Sequence, residues 1–363
     1  MSQRPRMVAK IGSQALCDPA GRLEASVLSA LAGQIARLRE RGWDVLLISS
    51  GAVAAGREVA GERASRISNP VTRQQVLAAA GQVSLMASWQ AALAEHGLRT
   101  AQVLVSKSDF QSRQHYLNMR ACLEGVLAAG LVPVVNENDV VSVTELMFTD
   151  NDELAGLLAG MVDAELLCLL STVHGVLGAD GETVIARWDD EEHRVDDVLR
   201  EGASRLGRGG MHSKLSVARK TASLGTDVVI AHGQAPDVLT SIAAGEATGT
   251  RFSAQERTTP AKRWLASMDD HALGSVTVNA GAAEALRDPH RLASLLPVGV
   301  DEVEGSFQQG DVIQVRDPQG DLLGCGRSGY DAEEARAALG QRDRKPIIHY
   351  DYLYLVDGQT HHG

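Results

Sequence analysis

Short apolar runs alternate with longer helical patterns between Met7 and about Ala231. The runs predict buried strands because nearly every position in them is apolar, and the longer segments carry apolar residues at helical spacing. Such alternation is typical of an α/β fold with a mostly parallel sheet sandwiched by helices. The predicted strands are Met7–Ile11, Asp44–Ser49, Thr100–Val105, Leu131–Val135, Leu166–Leu170 and Asp227–Ala231. The predicted helices are Val27–Arg41, Val71–Glu95, Gln114–Ala129, Asp152–Met161 and Met211–Leu224.

The pattern changes after about Ala261. Gly274–Asn279 and Asp311–Val315 alternate apolar and polar residues, and Asp331–Leu339 reads as a short helix. This predicts a small β-rich domain at residues 261–363 after an α/β domain at residues 1–260, with the linker near residues 253–262.

Charge and composition exclude several functions. The 363 residues include 35 Lys and Arg against 46 Asp and Glu, a net charge of −11, which argues against a protein that mainly grips nucleic acid or an anionic membrane. The apolar stretch Leu154–Leu170 contains Asp163 and Glu165, so it is not predicted to span a membrane. Four widely spaced cysteines and an N-terminal segment without an apolar run are typical of a cytoplasmic protein.

Ligands of parallel sheets bind at the carboxyl ends of the strands, so the residues there are candidates for function. Lys10, Gly12 and Ser13 end the first predicted strand, where an ammonium group beside backbone N–H groups suits the terminal phosphates of a nucleotide. The simpler interpretation is a lysine that only reaches solvent.

Ser50, Gly51 and Ala52 follow the second predicted strand and open a helical pattern. A Ser-Gly turn into a helix presents a hydroxyl and backbone donors to an anion. Ser50 could equally be an ordinary helix cap.

Two clusters of acidic and amide residues flank one connection. Residues 136–139 (Asn-Glu-Asn-Asp) follow a predicted strand, and residues 149–152 (Thr-Asp-Asn-Asp) precede a predicted helix. They could bind an ammonium and a carboxylate or orient a phosphoryl acceptor, although Asn and Asp are also common in turns and caps. The D-x-D spacing lacks the rest of a calcium-binding loop.

A glycine-rich segment precedes the last predicted helix of the α/β domain. Residues 207–214 read Gly-Arg-Gly-Gly-Met-His-Ser-Lys, and their glycines would let the backbone approach phosphate oxygens. Neither the P-loop nor the dinucleotide-binding fingerprint fits these residues, and a flexible connector is the alternative. The sequence contains no G-x-S-x-G motif, so a nucleophilic hydrolase is not predicted.

Taken in order, these motifs resemble those of the amino-acid kinase family: K-x-G-S at Lys10, SSGA at Ser49–Ala52, VPVVNEND at Val132–Asp139, DND at Asp150–Asp152 and GGMHSK at Gly209–Lys214. The similarity is strongest to members that phosphorylate the side-chain carboxylate of L-glutamate with ATP and Mg²⁺, in proline biosynthesis. The segment from about Leu273 to Asp351 resembles a PUA domain.

The resemblance implies a role for each candidate residue. Lys10, Lys214 and Asp152 would be catalytic, with Asp152 holding the two ammonium groups in place. The residues implied to bind the acceptor amino acid are Ser50, Gly51, Ala52, Asn136, Asp139 and Asn151. The residues implied to bind the nucleotide are Lys10, Gly12, Ser171, Thr172, Arg208, Gly209, Gly210, Met211, His212, Ser213 and Lys214. Thr172 stands where relatives place an Asp, and Arg208 and His212 stand where smaller residues are familiar. No residue is predicted to be a metal ligand.

The same resemblance implies a homo-oligomer, a dimer or a tetramer, and proline as a feedback inhibitor. Three other functions fit parts of the sequence. Another amino-acid kinase (acetylglutamate, aspartate or uridylate kinase) would differ in its acceptor pocket. An RNA-binding or RNA-modifying protein is suggested by the C-terminal domain, but from Leu273 onward eight Lys and Arg face fourteen Asp and Glu, so nucleic acid is not expected as a partner. A sensor that binds glutamate without turnover would have no use for paired lysines.

Overall fold

The computed structural model describes residues 4–111, 113–141, 150–178, 180–189, 193, 208–256, 263–265, 272–288 and 293–355. The chain divides into two compact units. One consists of Met1–Lys107 and Arg120–Arg257, and the other of Ser108–Met119 and Thr258–Gly363. A domain boundary between residues 260 and 261 stays a prediction.

An eight-stranded sheet forms the first unit, in the order β3-β4-β2-β1-β5-β7-β8-β6. Its strands are β1 (Arg6–Ile11), β2 (Asp44–Ser49), β3 (Thr100–Val105), β4 (Val132–Glu137), β5 (Leu166–Ser171), β6 (Arg187–Trp188), β7 (Asp227–His232) and β8 (Thr250–Phe252). All neighbouring pairs are parallel except β7 and β8. The predicted mostly parallel α/β sheet is therefore confirmed.

The helices up to residue 256 connect these strands. They are α1 (Ser13–Leu16), α2 (Ala25–Glu40), α3 (Ala52–Ala64), α4 (Pro70–Ala94), α5 (Lys107–Gln111), α6 (Arg113–Ala128), α7 (Asn151–Met161), α8 (Arg208–Ser223) and α9 (Val238–Ala243). Residues of β1, α2, α4 and β5 contribute to one large buried cluster that includes Ile35, Leu85 and Trp89.

Strand β1 lies where the strand order reverses, with β2 on one side and β5 on the other. All six of its residues are buried, including Lys10. Lys10 pairs in register with Ile48 of β2 and with Leu169 of β5. Ligands of open parallel sheets bind outside the carboxyl ends of the strands at such a reversal. A ligand site is therefore expected at the carboxyl end of β1.

Two predicted boundaries differ in ways that affect function. Strand β4 runs to Glu137 rather than Val135, so Asn136 is a buried strand residue and not part of a turn. Helix α8 begins at Arg208, so residues 208–214 are helical rather than a loop or flexible connector, and the helix start predicted at Met211 is wrong. Gly207 and Thr149, named in the motifs, lie outside the described residues.

Helices α3 and α4 approach each other at two glycines. A Cβ atom at Gly81 would lie 1.8 Å from the Ala52 carbonyl oxygen, and one at Gly56 would lie 1.9 Å from the Leu77 carbonyl oxygen. No side chain larger than hydrogen fits such backbone contacts. The two glycines therefore set the position of the first turn of α3 against α4.

Helix α4 is long and apolar enough to cross a membrane by length and composition alone, a feature that the sequence analysis did not single out. Leu85 and Trp89 of this helix are fully buried in the cluster around β1 and α2. A core helix of a globular protein passes the same test.

The second unit contains a five-stranded sheet in the order β10-β9-β11-β12-β13. Its strands are β9 (Gly274–Val278), β10 (Val300–Gly305), β11 (Val312–Arg316), β12 (Leu322–Ser328) and β13 (Ile348–Leu355), and its further helices are α10 (Ala280–Arg287) and α11 (Ala332–Ala338). Side chains of Asn279 and Asp331 cap these two helices by accepting backbone hydrogen bonds. The predicted β-rich C-terminal domain is confirmed.

Candidate active site

A buried carboxylate joins two lysines that are distant in sequence. The Nζ atom of Lys10 lies 2.6 Å from Oδ1 of Asp152, and the Nζ atom of Lys214 lies 2.8 Å from Oδ2 of the same residue. The exposed fractions of the three side chains are 6% for Lys10, 12% for Lys214 and 0% for Asp152. Strand β1, helix α7 and helix α8 each supply one member of this triad.

The charges in the triad favour an ionised Asp152. Burial alone would raise the pKa of this carboxyl, but the adjacent ammonium groups of Lys10 and Lys214 outweigh burial and lower it. Two cations share one anion, so the triad carries a surplus positive charge at the end of β1. A surplus of this kind attracts phosphate oxygens.

The first turn of α7 holds Asp152 in place without using its side chain as a cap. Asp150 is the N-cap residue, and its Oδ1 accepts hydrogen bonds from the backbone N–H groups of Asp152 and Glu153 at 2.9 and 3.2 Å. This capping is the structural alternative given above for clusters of Asn and Asp. Because Asp150 takes it, both carboxylate oxygens of Asp152 remain for the lysines.

The neighbouring residue Asn151 connects a second group of predicted residues. Its Nδ2 atom donates to the Ser50 hydroxyl oxygen at 2.8 Å and to Oδ1 of Asn136 at 3.0 Å. These three side chains come from the first turn of α7, the segment after β2 and the end of β4. The structure thus brings together three of the six residues predicted to bind the acceptor. One of them, Asn151, is the residue next to Asp152 of the triad.

Ser50 is not the helix cap that the sequence left open. Gly51 is the N-cap residue of α3, with φ of 112°, and no side chain caps this helix. A left-handed backbone here requires glycine. The N–H groups at the start of α3, beginning at Ala52, therefore have no capping side chain, an arrangement that suits an anionic ligand.

Asp139 lies in the turn after β4 and is partly buried. Burial raises the pKa of its carboxyl. Among the described residues it forms no ion pair and no hydrogen bond through its carboxylate. A partly buried carboxylate without a cation nearby is a suitable partner for a ligand ammonium group.

The residues predicted to bind the nucleotide are spread over several elements. Gly12 follows β1, and its N–H donates to the Leu170 carbonyl at 3.0 Å. Ser171 ends β5 and Thr172 follows it, on the side of β1 away from β2. Hydrogen bonds within the described ranges do not connect these two residues with the triad. Residues Arg208, Gly209, Gly210, Met211, His212 and Ser213 form the first turns of α8, before Lys214.

Two residues of α4 that were not predicted form hydrogen bonds with residues at or next to the site. Gln82 accepts a hydrogen bond through Oε1 from Nδ2 of Asn136 at 2.9 Å. Trp89, two turns along the same helix face, donates through Nε1 to the Ser49 hydroxyl at 2.7 Å. The signal available in the sequence was a glutamine that interrupts the apolar run from Leu77 to Leu85.

A stacked pair of histidines, also missed, lies at the carboxyl ends of β5 and β7. The ring centroids of His174 and His232 are 4.7 Å apart, with an angle of 21° between the planes. Burial, and then the charge of His174, lowers the pKa of His232. Because β5 and β7 lie on one side of β1, both rings are on the same side of β1 as Ser171.

The described part of the chain holds no group of three or more His, Cys, Asp or Glu side chains that could bind a metal ion. Both carboxylate oxygens of Asp152 face lysines. Mg²⁺ commonly binds with one or two protein carboxylates together with water and substrate phosphates.

The amino-acid sequence matches the model of the "Amino acid kinase family" over residues 5–232, which is more than half of the chain. The chain belongs to the amino acid kinase family. The resemblance inferred from the ordered motifs is thereby confirmed, and residues 274–350 match the PUA domain, as predicted.

Curated relatives within this family cover nearly the whole chain. A protein from Chlorobaculum tepidum named glutamate 5-kinase is 45% identical over 353 residues, covering 97% of both chains. Proteins of the same name from Bacteroides thetaiotaomicron and Thermus thermophilus are 38% and 39% identical, covering 96% and 97% of this chain and 98% and 97% of their own. The similarity therefore extends over both units.

Proposed function

We propose that this amino acid kinase transfers the γ-phosphoryl group of ATP to the side-chain carboxylate of L-glutamate and forms L-glutamyl 5-phosphate, the first step of proline biosynthesis. The observation that carries the proposal is the bridge from Lys10 through Asp152 to Lys214 at the end of the central strand. Relatives of 38% to 45% identity that carry the name of this activity support the choice of acceptor.

The transfer requires no general base because the acceptor carboxylate is already ionised at neutral pH. One of its oxygens forms a bond to the γ-phosphorus, while the bond from that phosphorus to the bridging oxygen breaks and its electron pair leaves with ADP. Lys10 and Lys214 neutralise charge on the transferred group and on the leaving oxygen, and Asp152 fixes both ammonium groups. Catalysis is then positioning and charge neutralisation.

The acceptor pocket would lie beside the triad. Asp139 would bind the α-ammonium group, since its carboxylate is partly buried and has no cation among the described residues. Ser50, Asn136 and Asn151 would orient the amino acid, and the N–H groups at the start of α3 from Gly51 and Ala52 would face a carboxylate. An N-acetylated acceptor would gain nothing from Asp139.

The nucleotide would lie beside the triad, at the carboxyl ends of β1 and β5. In this proposal Gly12, Ser171 and Thr172 border the nucleotide, and residues 208–214 contact its phosphates from the first turns of α8. Magnesium would enter with ATP, and when bound it would supply further charge neutralisation on the phosphate oxygens.

The decisive experiment measures ADP release by the purified protein with ATP and Mg²⁺. L-Glutamate, L-aspartate, N-acetyl-L-glutamate and uridylate are compared as acceptors, and hydroxylamine traps the acyl phosphate as a hydroxamate. We expect turnover with L-glutamate at least about tenfold above the others, since a missing or blocked polar group leaves partners in the site unpaired. Preference for another acceptor would refute the proposal.

Three further parts of the proposal rest on the sequence and on its resemblance to the amino-acid kinase family. We expect a cytoplasmic homo-oligomer, either a dimer or a tetramer, that is inhibited by proline. Light scattering of the purified protein checks the oligomeric state, and a proline titration of glutamate turnover checks the inhibition. A monomer, or turnover unaffected by millimolar proline, would contradict the corresponding part.

A further inference from the structure

Gln82 occupies the end of a continuous chain of polar side chains. Nδ2 of Asn151 donates to Oδ1 of Asn136, and Nδ2 of Asn136 donates to Oε1 of Gln82. At the other end of this hydrogen-bond chain, Asn151 also donates through Nδ2 to the Ser50 hydroxyl. In this arrangement Asn136 presents its NH₂ group to Gln82, and Gln82 accepts through its carbonyl oxygen.

With this arrangement, the NH₂ group of Gln82 is the end of the hydrogen-bond chain. Its Nε2 atom is shielded from solvent and has no hydrogen-bond partner in the part of the chain that the structure describes. A shielded N–H donor without an acceptor is costly, and folded proteins keep very few of them. A ligand acceptor at this position would remove the cost.

The place of Gln82 indicates which ligand group it meets. Asp152 pairs with the lysines, Asn151 follows next, then Asn136, and Gln82 lies farthest along the hydrogen-bond chain from Lys10 and Lys214. In the proposed reaction the side-chain carboxylate must meet the phosphoryl group beside the lysines. The α-carboxylate, at the other end of the amino acid, would then lie toward Gln82.

We propose that Gln82 is a specificity-determining residue whose Nε2 atom donates a hydrogen bond to the α-carboxylate of the acceptor amino acid. The assignment rests on the proposed function, because it presupposes an acceptor with two carboxylates. Gly81 allows α4 to approach the start of α3 at this point, so the donor is held on a rigid helix beside the pocket.

The test compares L-glutamate with its α-carboxamide, L-isoglutamine, as acceptors for the wild-type protein, Gln82→Met and Gln82→Glu. Methionine removes the donor at similar volume, and glutamate replaces the donor by an anionic oxygen that repels an α-carboxylate but accepts from an α-amide. Gln90→Met, an exposed position on the same helix, is the matched control. Isoglutamine is also measured as a competing inhibitor, so that slow turnover does not hide its binding.

We expect the preference for L-glutamate over isoglutamine, as a ratio of kcat/KM, to fall by about tenfold to a hundredfold in Gln82→Met, since a hydrogen bond to a charged group is lost. A larger fall is expected in Gln82→Glu, while Gln90→Met and the KM for ATP stay within about twofold of the wild type, because neither involves the lost donor. The ratio is independent of the folded fraction, so partial misfolding cancels.

An unchanged ratio in both Gln82 variants, with normal glutamate turnover by the wild-type protein, would overturn the assignment alone, even if both variants turned over more slowly than the wild type. A wild-type protein that fails to phosphorylate L-glutamate would overturn the proposed function and the assignment together.

Discussion

A lysine buried between apolar strand residues carries a large desolvation cost, and Lys10 of β1 is such a residue. The cost is offset because Asp152 lies 2.6 Å from its ammonium group. The carboxylate, in turn, has Lys214 on its other oxygen. The three charges form one unit, and the removal of any of them changes the other two.

Lys10→Met and Lys214→Met should each lower turnover by about a hundredfold or more, the cost of removing one preorganised group that stabilises charge in a transition state. Lys220→Met, later on helix α8, is the control and should keep nearly full activity. ADP release measures turnover, and circular dichroism checks that the variants are folded. Activity of either lysine variant close to that of the control would contradict the role of the triad.

Asp139 should make glutamate binding pH-dependent. Only the ionised carboxylate attracts the α-ammonium group, and burial raises the pKa of this carboxyl. The KM for L-glutamate should therefore be lowest well above that pKa and should rise as the pH falls through it, at a higher pH than for an exposed aspartate.

Asp139→Ala or Asp139→Asn should raise the KM for L-glutamate by about tenfold to a hundredfold, since a charge-assisted hydrogen bond is lost. The KM for ATP should change little, and this part of the pH dependence should disappear. Steady-state kinetics as a function of pH measures all three quantities. Equal effects on both KM values would argue against an ammonium-binding role.

At the scale of the elements, the contact between α3 and α4 sets the positions of the start of α3 and of Gln82. A Cβ atom at Gly81 would lie 1.8 Å from the Ala52 carbonyl oxygen and 2.2 Å from the Gly56 nitrogen. The two helices must separate to admit it. This movement would displace the start of α3 together with Gln82.

Gly81→Ala should destabilise the protein by about 1–3 kcal/mol, as overpacking commonly does, and should raise the KM for L-glutamate. Gly61→Ala is the matched control, because it lies on α3 with open space around its Cβ position; it should be neutral or stabilising by up to about 1 kcal/mol through helix propensity. Urea unfolding and glutamate kinetics measure both effects. Equal stability of the two variants would mean that the helices are not in tight contact.

Strands and helices with strong apolar patterns were predictable, and the bounds of Asp44–Ser49 and Thr100–Val105 agree with the structure. Helix α8 was predicted to begin too late because two glycines in its first turn lower helix propensity. Lys214 forms contacts with Asp152 and with the Gly210 carbonyl. These contacts form only in the folded protein, so helix propensity does not predict them.

The residues of the candidate site were predictable where they lie at strand ends or near the start of predicted helices. Lys10, Ser50 and Asn136 were found in the first way, and Asn151, Asp152 and Lys214 in the second. Gln82 and Trp89 lie inside a helix, and their roles depend on which face of α4 meets β2 and β4. Sequence periodicity gives the apolar face of a helix but not its neighbours.

At the scale of the whole molecule, the net charge of −11 sets the expected partners. The PUA-like unit is itself acidic, although Arg327 stacks on Tyr352, 3.8 Å from the ring centroid, near the exposed Tyr350. Arginine and aromatic side chains of this kind are also used to bind single-stranded nucleic acid. Charge and side-chain type therefore lead to opposite expectations.

We expect the charge to dominate, so that total RNA is not retained in a filter assay at about 0.15 M salt, where acidic proteins repel phosphates. Submicromolar retention would contradict this expectation. The variant Tyr352→Ala then decides whether this strand binds the RNA: a loss of retention would place the contact on β13.

Asn151 and Asp152 are consecutive residues of α7, yet one contacts Ser50 and Asn136 while the other contacts Lys10 and Lys214. An insertion, deletion or helical shift between them would disturb both groups at once. Evolution toward a new acceptor would therefore have to leave this turn untouched and proceed through substitutions on α4 or after β4. Laboratory libraries aimed at altered acceptors have the same starting positions.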